Sequence, residues 1–240
     1  MSVQDAARDE RTRNHALAAM PAAQWELLRP HVEAVMLETG MPLATRGDID
    51  AHVVFPIDCI VSLRCELADG NGSEFAMVGN EGMVGVSAFT GVDAQSADAL
   101  VQCAGRALQI RASVARRMFD TDPAFRGVVL RYMQALLRAA SQTSACYRHH
   151  GIEQQLARVL LASHDRLGVT LLPLTHEVIS RMLGVRREGV TDAANALRRA
   201  GLIEYARGRI QLLDRPRLEH RACECYALVR DEYRRMSGTP

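Results

Sequence analysis

The 240-residue chain is 48% apolar and 24% charged, which supplies a core for one large domain or two ordinary ones and excludes extended disorder. Its formal charge of +1 singles out no partner, yet residues 1–122 hold 10 Arg against 17 acids while residues 123–240 hold 19 Arg against 11, as expected if only the back half meets phosphate. No apolar run approaches the ~18 residues of a membrane span, and Asp9, Glu10, Arg11 and Arg13 exclude a secretory signal, so the sequence predicts a cytoplasmic protein.

Residues 21–37 read as a helix, broken afterwards by Gly40, Pro42, Gly47 and Asp48. From residue 51 to residue 110 the pattern shortens. Apolar runs such as His52-Val53-Val54-Phe55 and Ile60-Val61-Ser62-Leu63 alternate with the turn clusters Asp69-Gly70-Asn71-Gly72 and Gly79-Asn80-Glu81-Gly82. Many short strands with regular turns predict an antiparallel barrel or jelly roll, with Asn71-Gly72 supplying the positive φ angles of a tight hairpin.

Asp122-Pro123 opens a stretch that runs to about His150 and carries Val129, Leu130, Met133, Leu136, Leu137, Ala140 and Tyr147 at helical spacing. One long amphipathic helix is predicted. Its apolar stripe, with small residues at Ala139, Ala140, Ser144 and Ala145, suits either a two-fold dimer seam or packing on its own β-domain. Gly151 ends it, and a second helix from Ile152 to about Leu167 stops at Gly168.

Beyond Gly168, Thr175 is placed to cap a short helix with Val178, Ile179 and Leu183 inside. Ser180 is small where a second helix would cross, Gly184 falls at the bend, and Val185 plugs the core after it. A second helix from about Arg186 would bury Val190, Ala193, Ala194 and Leu197. Its outward face would then carry Arg187, Glu188, Thr191, Asp192, Asn195 and Arg198, side chains able to hydrogen-bond base edges. This is a helix-turn-helix pattern. The residues from Ile203 to Leu213 read as two strands around an Arg-Gly turn, a wing with Arg207 and Arg209 set to touch phosphates.

Helix-turn-helix, wing, long preceding helix and acidic β-domain together resemble the Crp/Fnr family of bacterial transcription regulators, most strongly between His149 and Tyr226. The resemblance implies an α+β fold in three parts: an effector-sensing, cyclic-nucleotide-binding-like β-barrel or jelly roll (1–120), a dimerisation helix (121–150) and a winged helix-turn-helix (151–240). It implies double-stranded DNA as partner, a homodimer through 123–150 reading an inverted repeat, and RNA polymerase as a further possible partner. The family's Arg-Glu pair is matched by Arg187-Glu188, His176 and Arg186 lie where members touch the backbone, and Thr175 is counted among the candidate DNA contacts. Asp192 and Gly189 depart from the best-known pattern, so the half-site is not transferable.

The stretch Gly79 to Val86 resembles the opening of the family's phosphate-binding cassette, which makes Gly82, Gly85, Val86, Gln95 and Ser96 the candidate effector contacts. Members that hold a cyclic nucleotide follow the glycine with Glu and later place an Arg. Here Val86 and Gln95 stand at those positions, so weak or absent cyclic-AMP binding is expected and the effector is left unknown.

All 29 basic residues are Arg, which favours bidentate contacts, although biased base composition gives the same count. The six cysteines, Cys59, Cys65, Cys103, Cys146, Cys223 and Cys225, lack the density of a disulfide scaffold and read as free thiols. His220-x-x-Cys223-x-Cys225 is the one run with ligand-like spacing, but positions 223 and 225 of one helix point about 200° apart, so no metal or other cofactor is expected. His149-His150 reads as capping carbonyls or facing solvent, with haem ligation as the alternative. No phosphate loop with Lys, zinc-protease motif or nucleophile elbow is present, which argues against an enzyme. The alternative reading is a DNA-free signalling module that acts through protein partners.

Overall fold

A computed structural model describes residues 10–68, 72–92 and 95–237. Helices α1 (His15–Ala18) and α2 (Ala22–Leu28) and a 3-10 turn (Arg29–His31) lead into β1 (Glu33–Leu37), β2 (Pro42–Ala44), β3 (His52–Pro56), β4 (Ile60–Glu66) and β5 (Gly72–Val78). A 3-10 turn (Val86–Phe89), β6 (Asp98–Cys103), β7 (Gly105–Arg111) and α3 (Ala112–Thr121) follow. The helix expected over residues 21–37 is corrected here. It ends at Leu28, because Pro30 has no N–H for a helical bond, and Glu33–Leu37 pairs antiparallel with β7 instead.

The strands form two antiparallel sheets, β1-β7-β3 and β2-β6-β4-β5, in a jelly-roll-like arrangement that is not a closed barrel. Strands β4 and β5 form a hairpin, but not the tight one expected at Asn71-Gly72: Gly72 already belongs to β5 and pairs with Glu66, so residues 67–71 make a longer connection, of which 69–71 lie outside the described residues. Alternation along these two strands serves two cores. Val61, Ala76 and Val78 join the interior of the β-domain, whereas Ile60 and Met77 pack with the C-terminal half of the chain.

The long helix α4 spans Pro123–His149, close to the predicted limits. Asp122 caps it, accepting hydrogen bonds from the Ala124 and Phe125 amides at 2.8 Å, and these bonds hold its carboxyl below the usual carboxylate range. At ~1.5 Å per residue such a helix is roughly 40 Å long. One face buries Phe125, Val129, Tyr132, Ala135 and Leu136, while Leu130 and Leu137 remain 50% and 62% exposed. The Tyr132 hydroxyl donates to the Met83 carbonyl at 2.8 Å, tying the helix to the turn after β5.

Helix α5 (Ile152–Leu167) ends at Gly168 with φ +67°, as its position in the sequence suggested. The remainder is β8 (Leu171–Leu172), α6 (His176–Leu183), α7 (Arg187–Arg199), β9 (Ile203–Ala206), β10 (Arg209–Leu212), α8 (Arg215–Arg221) and α9 (Cys225–Ser237). The last helix returns along α4, so that Tyr233 stacks on Tyr132 at 6.4 Å and Met236 enters the first core. Among the described residues no helix is long and apolar enough to cross a membrane.

Candidate nucleic-acid interface

The Thr175 hydroxyl accepts from the Val178 amide at 3.1 Å and starts α6 as predicted. Gly184 adopts φ +65° at the bend, and the Val185 amide turns back to the Ser180 carbonyl at 3.1 Å. That left-handed conformation favours glycine, and a Cβ there would also come within 3.3 Å of Ser73 Cβ on β5. The first helix therefore docks against the β-domain. Tyr147 on the long helix secures the same bend by donating to the Met182 carbonyl at 3.1 Å.

Helix α7 buries Val190, Ala193, Ala194 and Leu197, the four apolar positions expected. Arg187, Glu188, Asp192 and Arg198 are exposed, with Thr191 and Asn195 partly so. Among the described residues, the side chains of Arg186, Arg187, Glu188, Asp192, Asn195 and Arg198 make no hydrogen bond or ion pair. An exposed, unpaired Arg beside an unpaired Glu can meet a new partner without first breaking an old contact.

Strands β9 and β10 pair with Ala206 opposite Arg209, and the hairpin turns on Arg207 (φ +50°) and Gly208 (φ +78°). Two consecutive positive φ angles are the requirement of a tight two-residue hairpin. Strand β8 completes the three-stranded sheet beside β10. A Cβ on Gly208 would lie 3.3 Å from Thr175 Cγ2, so the wing tip folds back over the start of α6. Arg207 and Arg209 are exposed there and, among the described residues, unpaired.

His176 departs from the expectation. Only 8% exposed, its ring stacks on Tyr205 at 4.2 Å, and Nδ1 lies 3.1 Å from the Thr191 hydroxyl, which itself donates to the Arg187 carbonyl. Burial, then the Arg187 charge, lowers its pKa. His176 thus links β9 to α7 from within, through Tyr205 and the Thr191 hydroxyl, rather than presenting a free donor to solvent.

The candidate effector residues are only partly brought together. Gly85 has φ +95° and sits where a Cβ would lie 2.6 Å from the His52 carbonyl oxygen. Val86 begins the 3-10 turn that follows it. Gln95 Nε2 donates to Ser87 Oγ at 3.0 Å, Ser87 in turn donates to Asp50, and the Gln95 backbone bonds Asp48 and Gly47. Gly82 is elsewhere: a Cβ on it would overlap the Tyr132 ring at 2.0 Å, which makes it a packing position against α4. Ser96 is exposed.

One grouping escaped sequence reasoning. Cys146, His150, Cys223 and Cys225 place their ligand atoms within 4.8 Å of one another. The expectation that residues 223 and 225 diverge on one helix is overturned, because α8 ends at Arg221 and Ala222 is extended, so α9 begins only at Cys225. His220 takes no part; its Nδ1 lies 2.7 Å from the Pro216 carbonyl oxygen. The available signal was Cys146-x-x-x-His150, two ligand types one helical turn apart.

Residues 154–221 match the family model of the Crp-like helix-turn-helix domain. Among curated protein sequences, none matches the chain. Among solved structures it is similar to FixK2 from Bradyrhizobium japonicum, with a TM-score of 0.69 and 17% identity over 80% of this chain and 98% of that one. It is also similar to a CRP-family transcriptional regulator from Thermus thermophilus, with a TM-score of 0.65 and 22% identity over 78% and 96% of the two chains. A Crp/Fnr-family regulator from Eubacterium rectale gives a TM-score of 0.64 and 17% identity over 84% and 94%.

Proposed function

We propose that this chain, which carries a Crp-like helix-turn-helix domain within a Crp/Fnr-type fold, is a transcription regulator that reads an inverted repeat in double-stranded DNA as a homodimer. The observation that carries the reading is the recognition helix itself: Arg187 and Glu188 stand exposed and unpaired at its N-terminal end, with the wing arginines alongside.

Arg187 would meet guanine N7 and O6 in the major groove, and Glu188 would accept from a cytosine amino group. Asp192, Asn195 and Arg198 extend the base-facing surface along the helix. Arg186, Arg207 and Arg209 would bind phosphates, adding affinity without sequence preference. Thr175 sits beneath the wing tip, within reach of the same backbone. His176 and Thr191 act as positioning residues that fix the wing against α7.

The dimer is assigned to residues 123–150. Leu130 and Leu137 stand exposed seven residues apart on the solvent side of α4, with the small Ser144 seven further on and the polar Gln134, Ser141 and Arg148 beside them; two exposed leucines at heptad spacing offer an apolar contact to a second helix. Residues 1–120 and 151–240 then form the sensing and DNA-binding parts on either side, and two recognition helices about one helical turn of DNA apart would read the repeat. For the sensing part, the carboxylate of Asp50 beside Ser87, together with Gln95, disfavours a bound phosphate, which supports a degenerate cyclic-nucleotide pocket. The exposed Arg-Glu face and the wing favour this reading over a DNA-free signalling module.

Selection from a pool of random duplexes tests it. Enrichment of an inverted repeat is expected, and a selected pool without any common sequence would refute the reading.

A further inference from the structure

We propose that Cys146, His150, Cys223 and Cys225 form a binding site for one divalent ion of the zinc class, held tetrahedrally by three thiolates and an imidazole. Cys146 comes from the last turn of α4 and His150 directly follows it, and Cys223 and Cys225 lie at the entry to α9, so the ion would join two segments 75 to 77 residues apart in the chain. The site does not rest on the DNA-binding reading.

Distances decide between occupants. Zinc–sulfur bonds of about 2.3 Å and zinc–nitrogen bonds of about 2.0–2.1 Å at tetrahedral angles set neighbouring ligand atoms roughly 3.5–3.8 Å apart. Cys146 Sγ lies 3.5 Å from Cys223 Sγ, and Cys225 Sγ lies 3.6 Å from His150 Nδ1. An iron–sulfur cluster would spread the cysteines over several irons and needs a wider cage. A disulfide would use two thiols and leave Cys225 and His150 facing it without a role. Ordinary packing would surround each thiol with aliphatic side chains, as it does for Cys59 and Cys103; these three buried cysteines instead form a core of their own.

The surroundings suit a bound cation. His150 turns Nδ1 to Cys225 and leaves Nε2 3.4 Å from the Glu224 carboxylate, so Nδ1 would ligate while Nε2–H donates to the acid, the arrangement that orients metal-bound histidines. Gln142, one turn before Cys146, donates to Cys225 Sγ at 3.1 Å. Three thiolates, a neutral imidazole and a dication leave one negative charge. The buried Arg158 guanidinium, which donates to Thr143 at 3.4 Å one turn before Cys146, offsets it. Four protein ligands leave no open position, so the ion would be structural. It would lock the junction at Gly151, where the long helix hands over to α5, to the start of the returning helix α9.

The test uses the full chain, purified under reducing conditions. Elemental analysis should give one zinc per chain, and replacement by cobalt(II) should give the strong visible bands of tetrahedral thiolate ligation. Cys146→Ser and Cys225→Ser should lose those bands, whereas Cys65→Ser keeps them. Glu224→Gln should keep the spectrum but weaken metal affinity about 10–100-fold. Should the cysteine variants fold poorly, alkylation of the unaltered protein decides: Cys146, Cys223 and Cys225 should resist modification until a strong chelator is added. A metal-free protein that gives no cobalt bands, bands that survive both serine substitutions, a native Cys146–Cys223 disulfide, or several irons per chain would each overturn the proposal.

Discussion

Arg166 Nη2 lies 2.7 Å from Glu81 Oε1, with the two side chains only 10% and 6% exposed. This ion pair bolts α5, which supports the helix-turn-helix, to the turn after β5. The other groups are satisfied as well: Arg166 donates to the Met77 and Ala162 carbonyls, and Glu81 accepts from the Gly79 amide. Removing one partner strands a buried charge, so Glu81→Ala should cost about 3–5 kcal/mol in urea unfolding. Glu81→Leu combined with Arg166→Met should recover most of that loss. An unchanged midpoint for Glu81→Ala would show that the pair does not hold the two halves together.

Gly82 answers to Tyr132 rather than to a ligand. Gly82→Ala should destabilise by roughly 1–3 kcal/mol, because the buried ring blocks the added methyl and cannot retreat without losing its bond to Met83. Thermal unfolding measures this directly. A Gly82→Ala protein as stable as the parent would mean that α4 yields freely at this contact.

Glu74 predicts a pH dependence. Burial pushes its carboxyl from the ordinary 4.5 up to about 7, against the opposing pull of Ser62, Arg158, Arg166 and Arg64. Between these values the folded chain keeps a proton that the unfolded chain has released. The associated stability is therefore complete below about pH 4.5 and lost as pH rises through about 7. A shift of that size corresponds to something on the order of 3 kcal/mol. Glu74→Gln should flatten the slope of unfolding free energy between pH 5 and 7; an unaltered slope would place the titration elsewhere.

The free face of α4 sets the oligomeric state in this account. Leu137, 62% exposed in the protomer, would be covered in a dimer. Leu137→Glu should halve the molar mass seen in sedimentation, since facing carboxylates in an apolar seam are costly. A protein that is monomeric before the substitution would remove the dimer seam from the account.

Much of this was legible because local rules agreed with the fold. Asp122-Pro123, Gly168, Thr175 and Gly184 punctuate helices through caps and left-handed turns that depend on few neighbours, and the structure puts element ends at each. The Arg-Gly wing turn was readable for the same reason. Residues 33–37 were not, since pairing with β7, remote in sequence, decides their state. The inward turn of His176 follows from stacking on Tyr205, which no local pattern announces. Likewise the thiol–imidazole cluster needs α9 to return along α4, a matter of topology rather than spacing.

The most direct measurement is an anisotropy titration at fixed salt, comparing a duplex recovered by selection with a scrambled one of equal length. Arg187→Ala should weaken binding to the selected duplex by about 1–3 kcal/mol and leave the scrambled duplex unaffected, while Arg207→Ala weakens both alike. Equal affinity of the parent protein for the two duplexes, or an Arg187→Ala protein that binds the selected site undiminished, would contradict the assignment of α7 as the reading helix.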